Sequence, residues 1–181
     1  MHGRPGAGWL LTYIKEQDMT AESGSSGRAL RAMQELEIKR IINAPRELVY
    51  KACTDEKLLA QWWGPEGFTN PVCAADMSPG GKIHIVMKAP DGTEYPMRGV
   101  CYEAVAPERL VLSTTALEDA NGVPALEVRN TFSFKDHGGN TELMMHASVV
   151  KAAPEAAQAI AGMEQGWNGS LDRLSALLAS E

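Results

Sequence analysis

Hydrophobic and polar residues alternate along most of the chain after residue 35, the pattern of half-buried β-strands. Pro90-Asp91-Gly92 and Asn121-Gly122 are turn signals typical of hairpins. Because no helical pattern separates the later strands, we expect an antiparallel meander, since parallel pairing needs long crossovers. The predicted strands are 36–42, 71–77, 82–88, 94–105, 109–115, 125–135 and 141–150.

Two short helices are predicted between the first and second strands. Pro45 opens the first helix at a position where its missing N–H costs nothing. Thr54 or Asp55 caps the second helix, and Gly64-Pro65 ends it. Neither helix is long enough to cover a sheet.

The C-terminal segment carries the strongest helical pattern, which begins at Pro154. Apolar residues recur there at spacings of three and four, namely Ile160, Met163, Trp167, Leu171, Leu174 and Leu177 or Leu178. We expect one long helix that covers the apolar face of the sheet. Gly162, Gly166 and Gly169 lie within this pattern, and each destabilises a helix by about 1 kcal/mol relative to Ala. They indicate either close packing on the sheet or space left for a ligand.

Residues 1–34 differ in character from the rest of the chain. They contain a Gly/Ser stretch at 23–27 and no sustained hydrophobic period. A total of 181 residues suits one domain with an appendage. We therefore expect a flexible N-terminal leader at 1–34, with a docking arm for a partner as the alternative, and one domain at 35–181.

Composition narrows the class of protein. The chain has 23 acidic and 17 basic residues, and this balance argues against nucleic-acid binding, which needs a basic surface. No apolar run approaches the ~20 residues of a membrane span. Cys53, Cys73 and Cys101 are odd in number and widely spaced, which excludes a C-x-x-C motif and favours a reducing compartment. We expect a soluble cytoplasmic domain that binds neither nucleic acid nor membrane, and both a monomer and a homodimer fit the sequence.

Six short motifs, in order, resemble one known family. They are Ile41-Ile42-Asn43-Ala44-Pro45, Gln61-Trp62-Trp63-Gly64-Pro65, Pro79-Gly80-Gly81, Pro90-Asp91-Gly92, Pro107-Glu108-Arg109-Leu110 and Gly166-Trp167. Over residues 35–179 the chain is similar to the family of the C-terminal domain of the heat-shock-protein-90 ATPase activator, in the START-like, SRPBCC superfamily. The resemblance implies an α+β helix-grip fold. In that fold a curved antiparallel sheet of about six to seven strands wraps around a long C-terminal helix, with two short helices after the first strand.

The resemblance implies more about fold than about function. Superfamily members bind lipids, hormones or polyketides between sheet and helix, and a minority are cyclases, aromatases or oxygenase components. The family name also implies a chaperone partner and a role in stress response. In the eukaryotic activator that work needs an additional N-terminal domain, which residues 1–34 are too short to form.

The residues contain no motif for catalysis or for a metal. His84 and His146 are on strands without metal-ligand spacing, and both are predicted on the face opposite the cavity. Cys53 and Cys101 fit small core hydrophobes, and no G-x-S-x-G occurs. We therefore expect no metal, no cofactor and no catalytic residue.

An enzyme of cyclase, dehydratase or hydrolase type remains the alternative. It would need a polar side chain in the cavity, for which Tyr95, Arg98, Tyr102 and Glu103 are the candidates. For Arg98 and Glu103 the sequence favours cross-strand pairing over entry into the cavity.

The Met and aromatic content indicates an apolar ligand site. Met is flexible and polarizable, which suits a cavity for irregular apolar shapes. Phe132 and Phe134 share one strand face, with Asn130 in line. The alternative is a well-packed core with a capping aromatic cluster. The expected partner is a small hydrophobic molecule, and its candidate contacts are Trp62, Trp63, Phe68, Met87, Met97, Phe132, Met145, Met163 and Trp167.

Overall fold

Seven strands and four α-helices account for most of residues 35–179, the part of the chain that the computed structural model describes. The strands are β1 (Glu35–Ile42), β2 (Thr69–Ala75), β3 (Lys82–Lys88), β4 (Glu94–Val105), β5 (Arg109–Glu118), β6 (Pro124–His137) and β7 (Asn140–Ala152). The helices are α1 (Arg46–Thr54), α2 (Glu56–Trp62), α3 (Ala157–Ala161) and α4 (Met163–Ala179). The predicted leader at 1–34 lies outside the described residues.

The strands form one sheet in the order β1-β7-β6-β5-β4-β3-β2, and every neighbouring pair is antiparallel. Six of the strands follow chain order, as the meander prediction requires. β1 instead pairs with β7, the last strand, with Glu35 opposite Ser148 and Ile42 opposite Thr141. With the helices after β1 and β7, this arrangement confirms the α+β helix-grip class.

The sheet bends at β4. The register between β4 and β5 shifts between Cys101 and Glu103, and such a bulge increases the local twist. Gly99 lies just before it, and a Cβ there would stand 2.3 Å from the carbonyl oxygen of Ser113. Only glycine therefore allows β5 to approach this closely.

The core lies between the concave face of the sheet and α4. The strand period of two places Leu112, Phe132 and Met145 on this face, and all three are fully buried. Leu171 and Leu174 bury the facing stripe of α4. The predicted apolar stripe of the C-terminal helix is thus confirmed.

The prediction of one continuous helix from Pro154 is wrong at its beginning. Pro154–Ala156 is a 3-10 turn, and Gly162 separates α3 from α4. The backbone of Gly162 has φ −89° and ψ −1°, away from the α-helical values, although its N–H still donates to the Gln158 carbonyl at 3.0 Å. Glycine has a poor helix propensity, so the break falls at the residue where it costs least.

The predicted boundaries of α2 are confirmed. The carboxylate of Asp55 accepts from the N–H groups of Lys57 and Leu58 at 2.9 and 3.1 Å, the geometry of an N-cap. Gly64 follows the end of the helix with φ +97°. Pro45 is the N-cap residue of α1, one position before its first turn.

None of the described helices is long and apolar enough to cross a membrane.

Candidate functional site

The packing between α4 and the sheet is uneven along the helix. Leu171 and Leu174 are fully buried, whereas Met163 and Trp167, in the N-terminal half, are only partly buried. The sheet beneath the helix is buried throughout, since along β6 Asn130 and Phe132 are 0% and 1% exposed and Leu126 is 8% exposed. α4 is therefore packed most completely along its C-terminal half, whereas its N-terminal half, the looser end, leaves Met163 and Trp167 partly accessible.

The path of the chain places the looser end over the beginning of β6. After β7 the Ala153 N–H donates to the Ala125 carbonyl at 2.7 Å, which fixes the chain at that end of the strand. Further on, the ring of Trp167 lies 5.6 Å from the ring of Phe132. Segment 153–167 thus runs from above the beginning of β6 to above its middle.

An aromatic cluster closes one side of this space. Trp167 contacts Phe132 and also Trp63, at a ring distance of 5.2 Å and near-perpendicular planes. Trp63 contacts Trp62 at 5.6 Å, while the indole N–H of Trp62 donates to the Ala52 carbonyl at 2.8 Å. Four of the predicted ligand contacts are therefore brought together, and Trp62 is the most deeply placed of them.

A second group of predicted contacts surrounds Gly64. A Cβ on Gly64 would lie 3.2 Å from the sulfur of Met87 and 3.6 Å from Cβ of Phe68. The ring of Phe68 lies 6.2 Å from that of Tyr95, which shares the concave phase of β4 with Met97. Phe68 is buried but outside the main core cluster.

The remaining predicted contacts, Met97, Met145 and Met163, have different surroundings. Met145 is fully buried and pairs with Phe132 across β6 and β7. Met97 is buried opposite Ile85 on β3. Met163 stands one helical turn before Trp167, partly buried against the core.

Two buried polar side chains in this interior, Asn130 and Thr114, were not selected from the sequence. Asn130, on β6, is fully buried, and its Nδ2 donates to Oγ1 of Thr114 at 3.1 Å and to the Val128 carbonyl at 3.5 Å. Its Oδ1 has no hydrogen-bond partner among the described residues. The sequence feature that points to Asn130 is its position in the apolar phase of β6, between Val128 and Phe132. A polar side chain buried at such a position normally has a hydrogen-bond partner.

Arg173 joins α4 to the segment that follows α2. Its Nη1 donates to the carbonyls of Gly64 and Pro65, both at 2.9 Å, and its Nη2 donates to that of Gln61 at 2.7 Å. Gln61 is in the last turn of α2, whose carbonyls lack intrahelical donors, and Gly64 and Pro65 follow the helix, so one guanidinium satisfies carbonyls at and beyond its end. Desolvation lowers the pKa of Arg173, but an arginine remains charged at neutral pH.

Two further contacts hold α4 in place. Oγ of Ser170 accepts from the Gly64 N–H at 3.2 Å. On the other flank, Arg40 of β1 hydrogen-bonds to Asn168 and lies 3.9 Å from the carboxylate of Asp172. The helix is thus fixed on both sides.

The glycines of the C-terminal segment have different surroundings. A Cβ on Gly169 would lie 3.6 Å from Cα of Pro65, an ordinary contact with the segment that Arg173 holds. A Cβ on Gly166 would meet no atom within 4 Å. Gly169 thus lies against the Pro65 segment, whereas Gly166 has no such neighbour, and neither distance requires a glycine.

The four polar candidates for catalysis separate between the two faces. Tyr95 is on the concave side, and burial raises the pKa of its phenol. Arg98 pairs with Glu118 at 3.1 Å, which confirms the cross-strand prediction.

The other two candidates, Glu103 and Tyr102, also lie away from the interior. Glu103 pairs with Arg109 at 3.2 Å, again between β4 and β5. Tyr102 is half exposed, with the guanidinium of Arg129 5.1 Å from its ring centre. Among the four candidates, Tyr95 alone is positioned toward the interior.

The thiols and imidazoles have structural surroundings. Cys53 and Cys101 are buried, and desolvation raises the pKa of both, so they are protonated core residues as predicted. His84 and His146 are on the face opposite the core, also as predicted. Within residues 35–179, no three His, Cys, Asp or Glu side chains form a group that could hold a metal ion.

The chain is similar to several solved bacterial structures. A Rhodobacter sphaeroides protein is 28% identical, with a TM-score of 0.68 over 82% of this chain and 94% of its own. A Chromobacterium violaceum protein is 26% identical, with a TM-score of 0.66 over 80% and 96%. The AHSA1 protein from Silicibacter pomeroyi is 24% identical, with a TM-score of 0.68 over 80% and 97%. No curated protein matches the chain. Because the family model matches residues 43–179, the chain belongs to the family described as Activator of Hsp90 ATPase homolog 1-like protein.

Proposed function

We propose that this domain binds a small hydrophobic ligand between the concave face of the sheet and the N-terminal half of α4. The supporting observation is the uneven packing of that helix. Met163 and Trp167 are partly buried, while Leu171 and Leu174, further along the same stripe, are fully buried. A ligand would complete the apolar contacts that these two side chains make only in part.

The chemistry of the surrounding residues supports an apolar ligand. Trp63 and Trp167 supply large rigid surfaces, and Met163 supplies an adaptable one. Arg173 and Ser170 keep α4 and the segment after α2 at a fixed separation, which would preorganise the site.

Native mass spectrometry of the freshly purified full chain tests this proposal. The spectrum is compared with the mass of the denatured protein. An additional mass of a few hundred daltons, lost on denaturation, is the expected result for a ligand of the size such cavities enclose. The neutral fluorescent probe N-phenyl-1-naphthylamine supplies a second measurement, and we expect its emission to rise on binding.

A matched pair of variants locates the site. Met163→Trp adds a bulky ring to the proposed space, so probe binding should fall at least tenfold. Met144→Trp places the same ring on the convex face of β7, next to Met145 but on the other side of the sheet, and should leave binding unchanged. Equal binding by both variants, or no binding by the wild type, would contradict the proposal.

A chaperone-directed role is the second candidate, favoured by the family match over residues 43–179. The test is the ATPase rate of a purified heat-shock-protein-90 homologue, measured with increasing amounts of the full chain. A saturable increase would support this role. An unchanged rate together with no association in a pull-down would reject it.

A further inference from the structure

We infer that Asn130 and Thr114 recognise a hydroxyl group on the ligand, which would therefore be an alcohol or phenol rather than a pure hydrocarbon. This inference rests on the proposed function and specifies the chemistry of the same site. Its basis is the juxtaposition of an unpaired buried acceptor and a hydroxyl within an apolar interior.

The position of Asn130 is unusual for a polar side chain. It is fully buried on the concave face, with Val128 and Phe132 on either side along β6. Across the neighbouring strands its partners are Leu112 and Ala147. An unpaired amide oxygen in such surroundings costs free energy, which a hydrogen bond from a ligand would recover.

The hydrogen bonds fix which end of the amide is free. Nδ2 donates to Oγ1 of Thr114 and to the Val128 carbonyl, at 3.1 and 3.5 Å. Exchanging the amide oxygen and nitrogen would bring Oδ1 against the Val128 carbonyl, which is also an acceptor. The oxygen is therefore the unpaired end.

Thr114 adds the complementary group. Its oxygen accepts from Asn130, and a hydroxyl that accepts retains its own proton as a donor. The pair thus presents one acceptor and one donor side by side. A ligand hydroxyl, which donates and accepts through one atom, matches both.

The surroundings also select a neutral group. The neighbours of Asn130 on the concave face are the apolar side chains of Val128, Phe132, Leu112 and Ala147. A carboxylate or ammonium placed against them would lose its hydration without gaining a counter-charge. We therefore expect an uncharged head on an apolar body.

The pair lies on the sheet side of the proposed site, where Asn130 is fully buried. Asn130 lies between Ala125, where residue 153 is anchored, and Phe132, which contacts Trp167. Segment 153–167 passes over this part of β6. A ligand beneath that segment would have its polar atom at the sheet and its apolar body toward Met163.

The test uses three probes of similar size that differ only in hydrogen bonding. 1-Octanol donates and accepts, octyl methyl ether only accepts, and nonane does neither. Each displaces N-phenyl-1-naphthylamine from the full chain, and the half-displacing concentration is measured. The deciding quantity is the ratio of the ether value to the octanol value. A substitution that alters hydrophobic packing changes both values alike, so most of that contribution cancels in the ratio.

Asn130→Leu and Thr114→Val remove the two polar groups with little change in size. We expect the ether-to-octanol ratio to fall about tenfold in Asn130→Leu, the value of one hydrogen bond. Octanol and the ether can both accept from Thr114, so Thr114→Val should instead lower the nonane-to-ether ratio several-fold. Thr131→Val is the matched control, since Thr131 adjoins Asn130 on β6 but is in the opposite phase. In Thr131→Val the ratios should equal those of the wild type.

The outcomes separate this inference from the proposed function. If none of the three compounds displaces the probe and none binds, the proposed function is wrong and this inference with it. If all three bind and the ratio is the same in Asn130→Leu as in the wild type, only this inference is overturned. Should Asn130→Leu fail to fold, an unchanged nonane-to-ether ratio in Thr114→Val overturns it equally.

Discussion

Replacing Arg173 by methionine should loosen the junction between α4 and the segment after α2. Methionine keeps an apolar stem of similar length but removes the guanidinium. Three short hydrogen bonds are lost, at 2.9 Å to Gly64, 2.9 Å to Pro65 and 2.7 Å to Gln61, together with a longer one of 3.5 Å to Trp63. Of the carbonyls that remain, that of Pro65 keeps the Phe68 N–H as a backbone donor at 3.2 Å, whereas that of Gln61 is in the last turn of α2, where no intrahelical donor replaces the side chain.

The magnitude follows from the number of bonds and their exposure. A hydrogen bond to a charged group contributes about 1.5–3 kcal/mol when buried. Arg173 is only half-buried, and water can reach part of the site, so we expect about 1 kcal/mol for each bond and about 3 kcal/mol in total. A domain of this size loses roughly 2–4 °C in Tm per kcal/mol, which gives roughly 6–12 °C.

The assay is thermal and urea unfolding followed by far-UV circular dichroism. Arg173→Lys should recover less than half of the lost stability, because a lysine ammonium cannot reach three carbonyls with the fork geometry of arginine. Arg98→Met is the control, since it removes an exposed arginine paired with Glu118 and should change Tm by about 1 °C or less. If Arg173→Met melts no lower than Arg98→Met, the carbonyl contacts contribute nothing and the reasoning is refuted.

Three further predictions concern a glycine, a helix cap and a thiol. Gly166→Ala should raise the free energy of unfolding by about 0.5–1 kcal/mol in urea denaturation, because the new methyl meets no atom within 4 Å; a decrease would contradict this. Asp55→Ala should lower it by about 1 kcal/mol through loss of the α2 cap, whereas Asp55→Asn should retain most of it. Burial and the nearby Glu56 carboxylate raise the pKa of Cys73 to about 11, above the ordinary ~8.5, so its alkylation by iodoacetamide should increase with pH up to about 11. Glu56→Gln should lower that pKa and speed the reaction at pH 8, and a plateau near pH 9 in the wild type would show that the thiol is unperturbed.

The raised pKa of Cys73 also makes the stability of the folded protein depend on pH in the alkaline range. A thiol with a raised folded pKa ionises more readily when unfolded, so its contribution is complete below about 8.5 and is lost as pH rises toward about 11. Cys53 and Cys101 are shifted in the same direction by burial. Tm should therefore decline through this window, and a flat profile would contradict the assignment.

The sequence alone determined the elements of this fold. Strand limits such as 82–88 and 94–105 agree with the structure, because alternation and turn residues such as Pro90-Asp91-Gly92 act within a few consecutive positions. The cap at Asp55 is equally local. The break at Gly162 was not predicted, since the apolar stripe continues across it and periodicity does not register a single change in φ and ψ.

The aromatic part of the candidate site could also be expected from sequence. Trp63, Phe132 and Trp167 are large apolar residues in core phases, and they do meet. Whether they border a ligand was left open by the sequence, because a filled core and a lined cavity use the same residue types.

Tertiary structure decided the contacts between residues far apart in the chain. Arg173 reaches carbonyls more than a hundred positions earlier, and β1 finds its place beside β7. The unpaired oxygen of Asn130 depends on where Thr114 and Val128 direct its amide. Periodicity assigns a residue to a face, but the partner it meets there is set by how the sheet curves and where α4 crosses it, and those depend on the packing of the whole domain.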